Sequence, residues 1–150
     1  MRRNKGFTLI EILVVCAIIG ILAGATIMVT GPSRAKARDS RRLSDMTQIQ
    51  TALESYFAEQ SRTEAAYPLH TSPVTISAAA LQGMVPNHIA ELPEDPHNGN
   101  PPYIYMSLNS GKGYCIAAKF ESPNPQRVRN DSVCTTINDL PADYDYVIGR

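Results

Sequence analysis

Residues 7–30, FTLIEILVVCAIIGILAGATIMVT, are apolar or small almost throughout, and Glu11 is their only charge. As a helix this stretch would rise roughly 36 Å, enough to cross a hydrocarbon core of about 30 Å. A different pattern follows. Leu43, Met46, Ile49, Leu53, Tyr56 and Phe57 recur at steps of three and four, and residues 33–66 hold neither Gly nor Pro. That spacing predicts an amphipathic helix with one stripe for packing on a sheet. Gly31-Pro32 at the junction predicts a kink that does not end the helix. Every proline except Pro32 lies after residue 60, so the rest of the chain must be loops, turns and short strands. A long connection is expected first, with a short helix near Ser77 to Gln82. YIYMSL (103–108), the turn NSGKG and YCIAAKF (114–120) then read as a hairpin. Strand alternation puts Tyr114, Ile116, Ala118 and Phe120 on one face, and Cys115, Ala117, Lys119 and Glu121 on the other. SVCTTI and YDYVI are further strand candidates. The fold class expected is α+β: a long N-terminal helical spine, membrane-spanning in its first half, laid on a small antiparallel sheet.

Charge changes this picture only locally. In the 150-residue chain 14 basic and 14 acidic residues cancel, which excludes a global basic footprint for nucleic acid. Arg2, Arg3 and Lys5 precede the apolar run and favour a cytoplasmic N-terminus with an exported head. Arg34, Lys36, Arg38, Arg41 and Arg42 follow the run and weaken that rule. Three readings of this second cluster stand: contact with lipid headgroups, contact with acidic residues of neighbouring copies, and DNA binding. His70, His88 and His97 are scattered in loop-like sequence without metal-ligand spacing and read as surface residues. No nucleophile stands with a base and an orienting group, so no enzyme and no cofactor are expected. Glu91, Glu94 and Asp95, and also Asp139, Asp143 and Asp145, form acidic groups in which calcium is weighed against solvated turns; no EF-hand pattern is present. Asn130-Asp131-Ser132 matches a glycosylation triplet, relevant only where the machinery exists.

A carboxylate inside an apolar span needs a reason, because a charge at the bilayer centre costs about 2.5–3.5 kcal/mol on insertion scales. A secretory signal peptide cut near Ala23-Gly24-Ala25 does not supply one, and the apolar run continues past that site. A plain anchor carrying an extracytoplasmic binding domain explains the length but not Glu11. KGFTLIE, Lys5 to Glu11, followed by the apolar run, resembles the prepilin signature of the type IV pilin and pseudopilin family. The resemblance implies a leader at residues 1–6, a filament-core helix at 7–30, its amphipathic continuation at 31–60 and an α+β head at 61–150. It implies cleavage after Gly6 by a membrane-embedded peptidase, methylation of the new Phe7 amine, and pairing of Glu11 with that amine on a neighbouring copy. The α-amine has a reference pKa near 7.7–8 and is largely cationic at neutral pH, so two charges that are costly alone in low dielectric can offset one another. An intrasubunit pair between Phe7 and Glu11, one helical turn apart, is a rival.

Gly20 and Gly24, with Cys16 one turn earlier, form a small-residue ridge that lets helices approach closely, although glycine is also simply common in membrane helices. The proline that often kinks the family's apolar span is missing here; the first proline is Pro32. LPEDPHNGNPPYIY, residues 92–105, is similar to the pre-sheet loop of major pseudopilins, interrupted by His97 and by an extra Asn and Pro. Cys115 and Cys134 both fall in the expected exported head, where a pair can oxidise. Some type IV pilins carry a similar disulfide around a C-terminal loop; two free thiols are the alternative. The partners implied are further copies in a helical filament, a prepilin peptidase, an inner-membrane platform and an assembly ATPase. Localisation is then a single-pass inner-membrane state before assembly and an extracellular or periplasmic filament after it. Within the family a pilin for adhesion, motility or DNA uptake is slightly preferred over a major pseudopilin of type II secretion.

Overall fold

The computed structural model describes residues 6–60, 66–122, 134 and 144–150, with backbone alone for 26–30. Among the described residues one α-helix, α1, runs Leu9–Gln60 with Pro32 inside it, followed by four strands, β1 (Val74–Thr75), β2 (Ile104–Leu108), β3 (Gly113–Ala118) and β4 (Tyr146–Gly149), with a 3-10 turn at Asn109–Gly111. The chain divides into two compact units, Met1–Ala35 and Lys36–Arg150. The arrangement is α+β and pilin-like.

In the second unit all strands pair antiparallel in the order β1-β2-β3-β4. The β2–β3 hairpin is the one expected, with Tyr105 opposite Ile116 and Leu108 opposite Gly113. Its turn takes Asn109, Ser110 and Gly111 through positive φ (49°, 58° and 84°), a conformation that Asn and Gly tolerate best. β4 realises the YDYVI candidate, and SVCTTI lies outside the described residues apart from Cys134. Residues 78–88 form consecutive turns in place of the short helix expected near Ser77, with Leu81 N–H donating to Ser77 O at 2.9 Å.

Both sheet faces are covered, following the alternation of β3. Tyr114, Ile116 and Ala118 join Met46, Ile49, Ala52 and Leu53 of α1 in the main core, while Cys115 and Ala117 join Ile104, Cys134, Tyr144 and Val147 in a second layer. Burying each large apolar side chain contributes about 1.5–3 kcal/mol. Phe57 stacks on Tyr67 (centroids 4.6 Å apart), which meets Tyr114 edge-on at 4.7 Å and ties the connection down. One expectation for the stripe is corrected: Leu43 is 46% exposed, and the helix face one residue earlier buries Arg42 instead.

Candidate assembly site

In the first unit, Gly6 and Phe7 stand before the helix and are open to solvent, Phe7 being 84% exposed. Leu9, Ile10, Ile12, Leu13, Val14, Val15, Ile18, Ile19, Ile21 and Leu22 are exposed as well. Cys16 is a free, exposed thiol, and nothing lies within 4 Å of a Cβ built on Gly20 or Gly24. Among the described residues no helix is long and apolar enough to cross a membrane; the described side chains of the apolar run stop at Ala25.

Glu11 has a local partner that the sequence reading passed over. Its Oε2 accepts from the Thr8 backbone N–H (2.9 Å) and from Thr8 Oγ1 (2.8 Å), and Thr8 Oγ1 accepts from Glu11 N–H at a long 3.4 Å. This is a capping box: Thr8 is the N-cap and Glu11 the third helical residue, each satisfying an N–H that the helix leaves unpaired. The signal was present as Thr-x-x-Glu ahead of an apolar run. The same fold of the side chain brings the carboxylate back to the Thr8 amide at the start of the helix.

In the second unit, α1 carries a charged cluster on its buried face. Arg42 is fully buried, and all three of its guanidinium nitrogens are used. Nε and NH2 donate to the two oxygens of Asp95 (2.7 and 2.8 Å), NH1 to Asp39 (2.6 Å), and NH2 also to Glu121 (2.7 Å). Arg38 forks onto Glu121 through Nε and NH2. Asp39 accepts the backbone N–H of Glu121 (3.0 Å) and of Ser122 (2.9 Å), and Asp45 accepts from Tyr103 Oη at 2.8 Å. Burial alone would push the Arg42 guanidinium down, but its bonds to Asp95, Glu121 and Asp39 outweigh that and hold it above its ordinary value. The hydrogen bond from Arg38 lowers the Glu121 carboxyl from 4.5 to about 2; burial opposes the shift, and Arg42 adds to it. Burial pushes the Tyr103 phenol up, and the Asp45 carboxylate it donates to adds to the rise.

This clamp joins α1 to the LPEDP loop and to the segment after β3. It takes Arg42 of the basic cluster out of reach of lipid or DNA and engages Arg38, whose side chain stays 31% exposed, with Glu121; Arg34, Lys36 and Arg41 remain exposed. It also occupies Asp95, one of the acidic residues weighed for calcium. Among the described residues no group of three or more His, Cys, Asp or Glu could hold a metal; Asp139 and Asp143 lie outside them, as does Asn130-Asp131-Ser132. Two histidines are structural clasps instead of free surface residues. His88 bridges Ser55 Oγ (3.0 Å) and Glu59 Oε2 (3.1 Å), and His70 Nε2 lies 2.8 Å from Ala80 O. Cys115 and Cys134 form a disulfide, with Cα atoms 6.0 Å apart.

A capped apolar helix with an exposed start, continued into a helix-on-sheet head, defines a pilin-like subunit. Residues 1–27 match the family model described as the prokaryotic N-terminal methylation motif. The chain is 32% identical over 114 residues to a type II secretion system core protein G of Aeromonas hydrophila, covering 74% of this chain and 77% of that protein. The corresponding protein of Klebsiella pneumoniae is 32% identical over 115 residues, covering 75% and 79%. The type IV major pilin protein PilA of Myxococcus xanthus is 42% identical over 60 residues, covering 40% of this chain and 27% of that protein. No solved structure gives a significant match. The chain belongs to the type IV pilin and type II secretion pseudopilin family, whose members are structural subunits, membrane-anchored before assembly and built into filaments.

Proposed function

We propose that this chain is a prepilin, cut after Gly6, methylated on the Phe7 amine and polymerised through its apolar helix into a pseudopilus of the type II secretion kind. The observation that carries the pseudopilin reading is the reach of the likeness. Alignment with core protein G spans 114 residues, too many for α1 alone, whereas alignment with the pilin PilA spans 60. The slight preference for a pilin drawn from the cysteine pair therefore gives way. A pilus subunit for adhesion, motility or DNA uptake stays as the second reading, favoured by the disulfide that closes the segment after β3.

The chemistry is assembly rather than catalysis. Cleavage turns the Phe7 amide nitrogen into an amine that is cationic at neutral pH. Thr8 holds Oε2 of Glu11, while Oε1 accepts no hydrogen bond among the described residues and is available to the Phe7 ammonium of a second copy. The exposed side chains from Leu9 to Leu22 are covered first by lipid and then by neighbouring helices, with Cys16, Gly20 and Gly24 allowing close approach. The chain waits in the inner membrane with its head outside, and peptidase, platform and ATPase act on it from separate proteins.

Intact mass with fragmentation of the N-terminal peptide tests the processing: a chain starting at Phe7 with one added methyl group supports it, and a chain retaining Met1 overturns it. Glu11→Ala is expected to cut filament yield at least about tenfold, a coupling loss of about 1.4 kcal/mol or more, with the head folded and exported as before. Deletion in the host separates the two kinds of filament, since a pseudopilin loss blocks protein secretion and a pilin loss removes surface fibres.

A further inference from the structure

The second layer of the head contains a device that the assembly reading does not use. Cys115 and Cys134 are 0% and 1% exposed, packed with Ile104, Ala117, Val147 and Tyr144. Gly149 of β4 lies directly opposite Cys115 in the ladder. A Cβ added at Gly149 would overlap Cys134 Sγ and Tyr114 O and come within 3.3 Å of Cys115 Sγ, so the strand backbone rests on the disulfide itself.

We propose that the Cys115–Cys134 disulfide is a redox latch on β4, seating the strand when oxidised and releasing it when reduced. Bonded sulfurs sit about 2.05 Å apart, while non-bonded heavy atoms need about 3.5–4.0 Å. Reduction by a dithiol breaks the S–S bond, delivers one proton and one electron to each sulfur, and turns the dithiol into its cyclic disulfide. The two thiols then require room inside a dry layer. β3 is held on both sides by β2 and β4, whereas β4 pairs with β3 alone, so β4 is the element that yields. Its release also breaks the paired backbone bonds between Tyr114 and Arg150 (3.0 and 3.1 Å) and the Arg150 ion pair with Glu54, whose other oxygen accepts from Tyr114 Oη. The head is thereby completed only in a compartment where disulfides form.

Amide hydrogen exchange of the full-length chain in detergent, with and without dithiothreitol, tests the latch. Peptides from residues 144–150 are expected to exchange at least about tenfold faster after reduction, while residues 104–118 keep their protection. Unchanged protection in 144–150 overturns the proposal, because Cys134 has then moved away from a seated strand. Equal loss across both segments also overturns it, because the disulfide is then a staple for the whole head. Gly149→Ala, handled without reductant, is expected to loosen 144–150 alone and to titrate more than the single thiol that Cys16 contributes; a variant that closes its disulfide and keeps β4 protected counts against the latch.

Discussion

The two units use α1 in opposite ways. Before Ala25 the helix exposes its apolar side chains and satisfies its one carboxylate within a single turn, through Thr8. After Lys36 it buries Arg42, Asp39 and Asp45, satisfies them with one another and with residues distant in sequence, and leaves Leu43 outside. An exposed apolar surface of this extent is written for a partner that the chain does not contain. A buried charge with all three of its nitrogens engaged is written for the chain itself, since an unpaired one would be untenable.

The largest expected effect on the head comes from Arg42→Ala. It leaves Asp39, Asp95 and Glu121 facing one another without their cation, and a loss of about 3–5 kcal/mol should appear in urea unfolding. If the loss stays below about 1 kcal/mol, water replaces the guanidinium and the contrast between the units collapses. Next, Met46→Ala should cost about 2–5 kcal/mol, while Leu43→Ala, three residues earlier, should stay within about 0.5 kcal/mol. Equal effects from the two would show that Leu43 is covered within the subunit.

The clamp also has a pH signature. The folded Glu121 carboxyl lies near 2, below its ordinary 4.5. Asp39 is lowered too; burial opposes this, but the N–H groups of Glu121 and Ser122 and the Arg42 guanidinium outweigh it. A depressed carboxyl stabilises the fold above its unfolded pKa and loses that contribution as the proton binds. The melting temperature of the head should therefore fall as pH drops from 4.5 towards 2, and Glu121→Gln should make that fall shallower. Most local is Thr8→Ala, which removes one half of the capping box. It should cost about 1 kcal/mol of local helix stability, visible as faster amide exchange in the first turn with the head untouched.

Legibility in the sequence follows the range of the interactions. The β2–β3 hairpin can be read because its alternation and its turn residues are adjacent in the chain. The stripe from Met46 to Phe57 can be read because period and polarity agree there. Leu43 misleads because the periodic rule counts apolar residues, and at that turn the buried neighbour is a cation whose partners lie 53 and 79 residues away. The basic cluster reads as outward-facing for the same reason: nothing near Arg42 in sequence names Asp95 or Glu121. Thr8 is the opposite case, a short-range motif in plain view beside a more conspicuous glutamate. β1 was hidden because two residues, Val74 and Thr75, are too few to show alternation.

That brevity of β1 has its own consequence. It is the outer neighbour of β2 and contributes only the pairs Val74–Tyr105 and Thr75–Ile104. A long, flat sheet margin is a template on which other chains can extend a sheet, and a margin this short offers almost none. On the β1 side, heads crowded together therefore find only two ladder rungs on which to extend a common sheet.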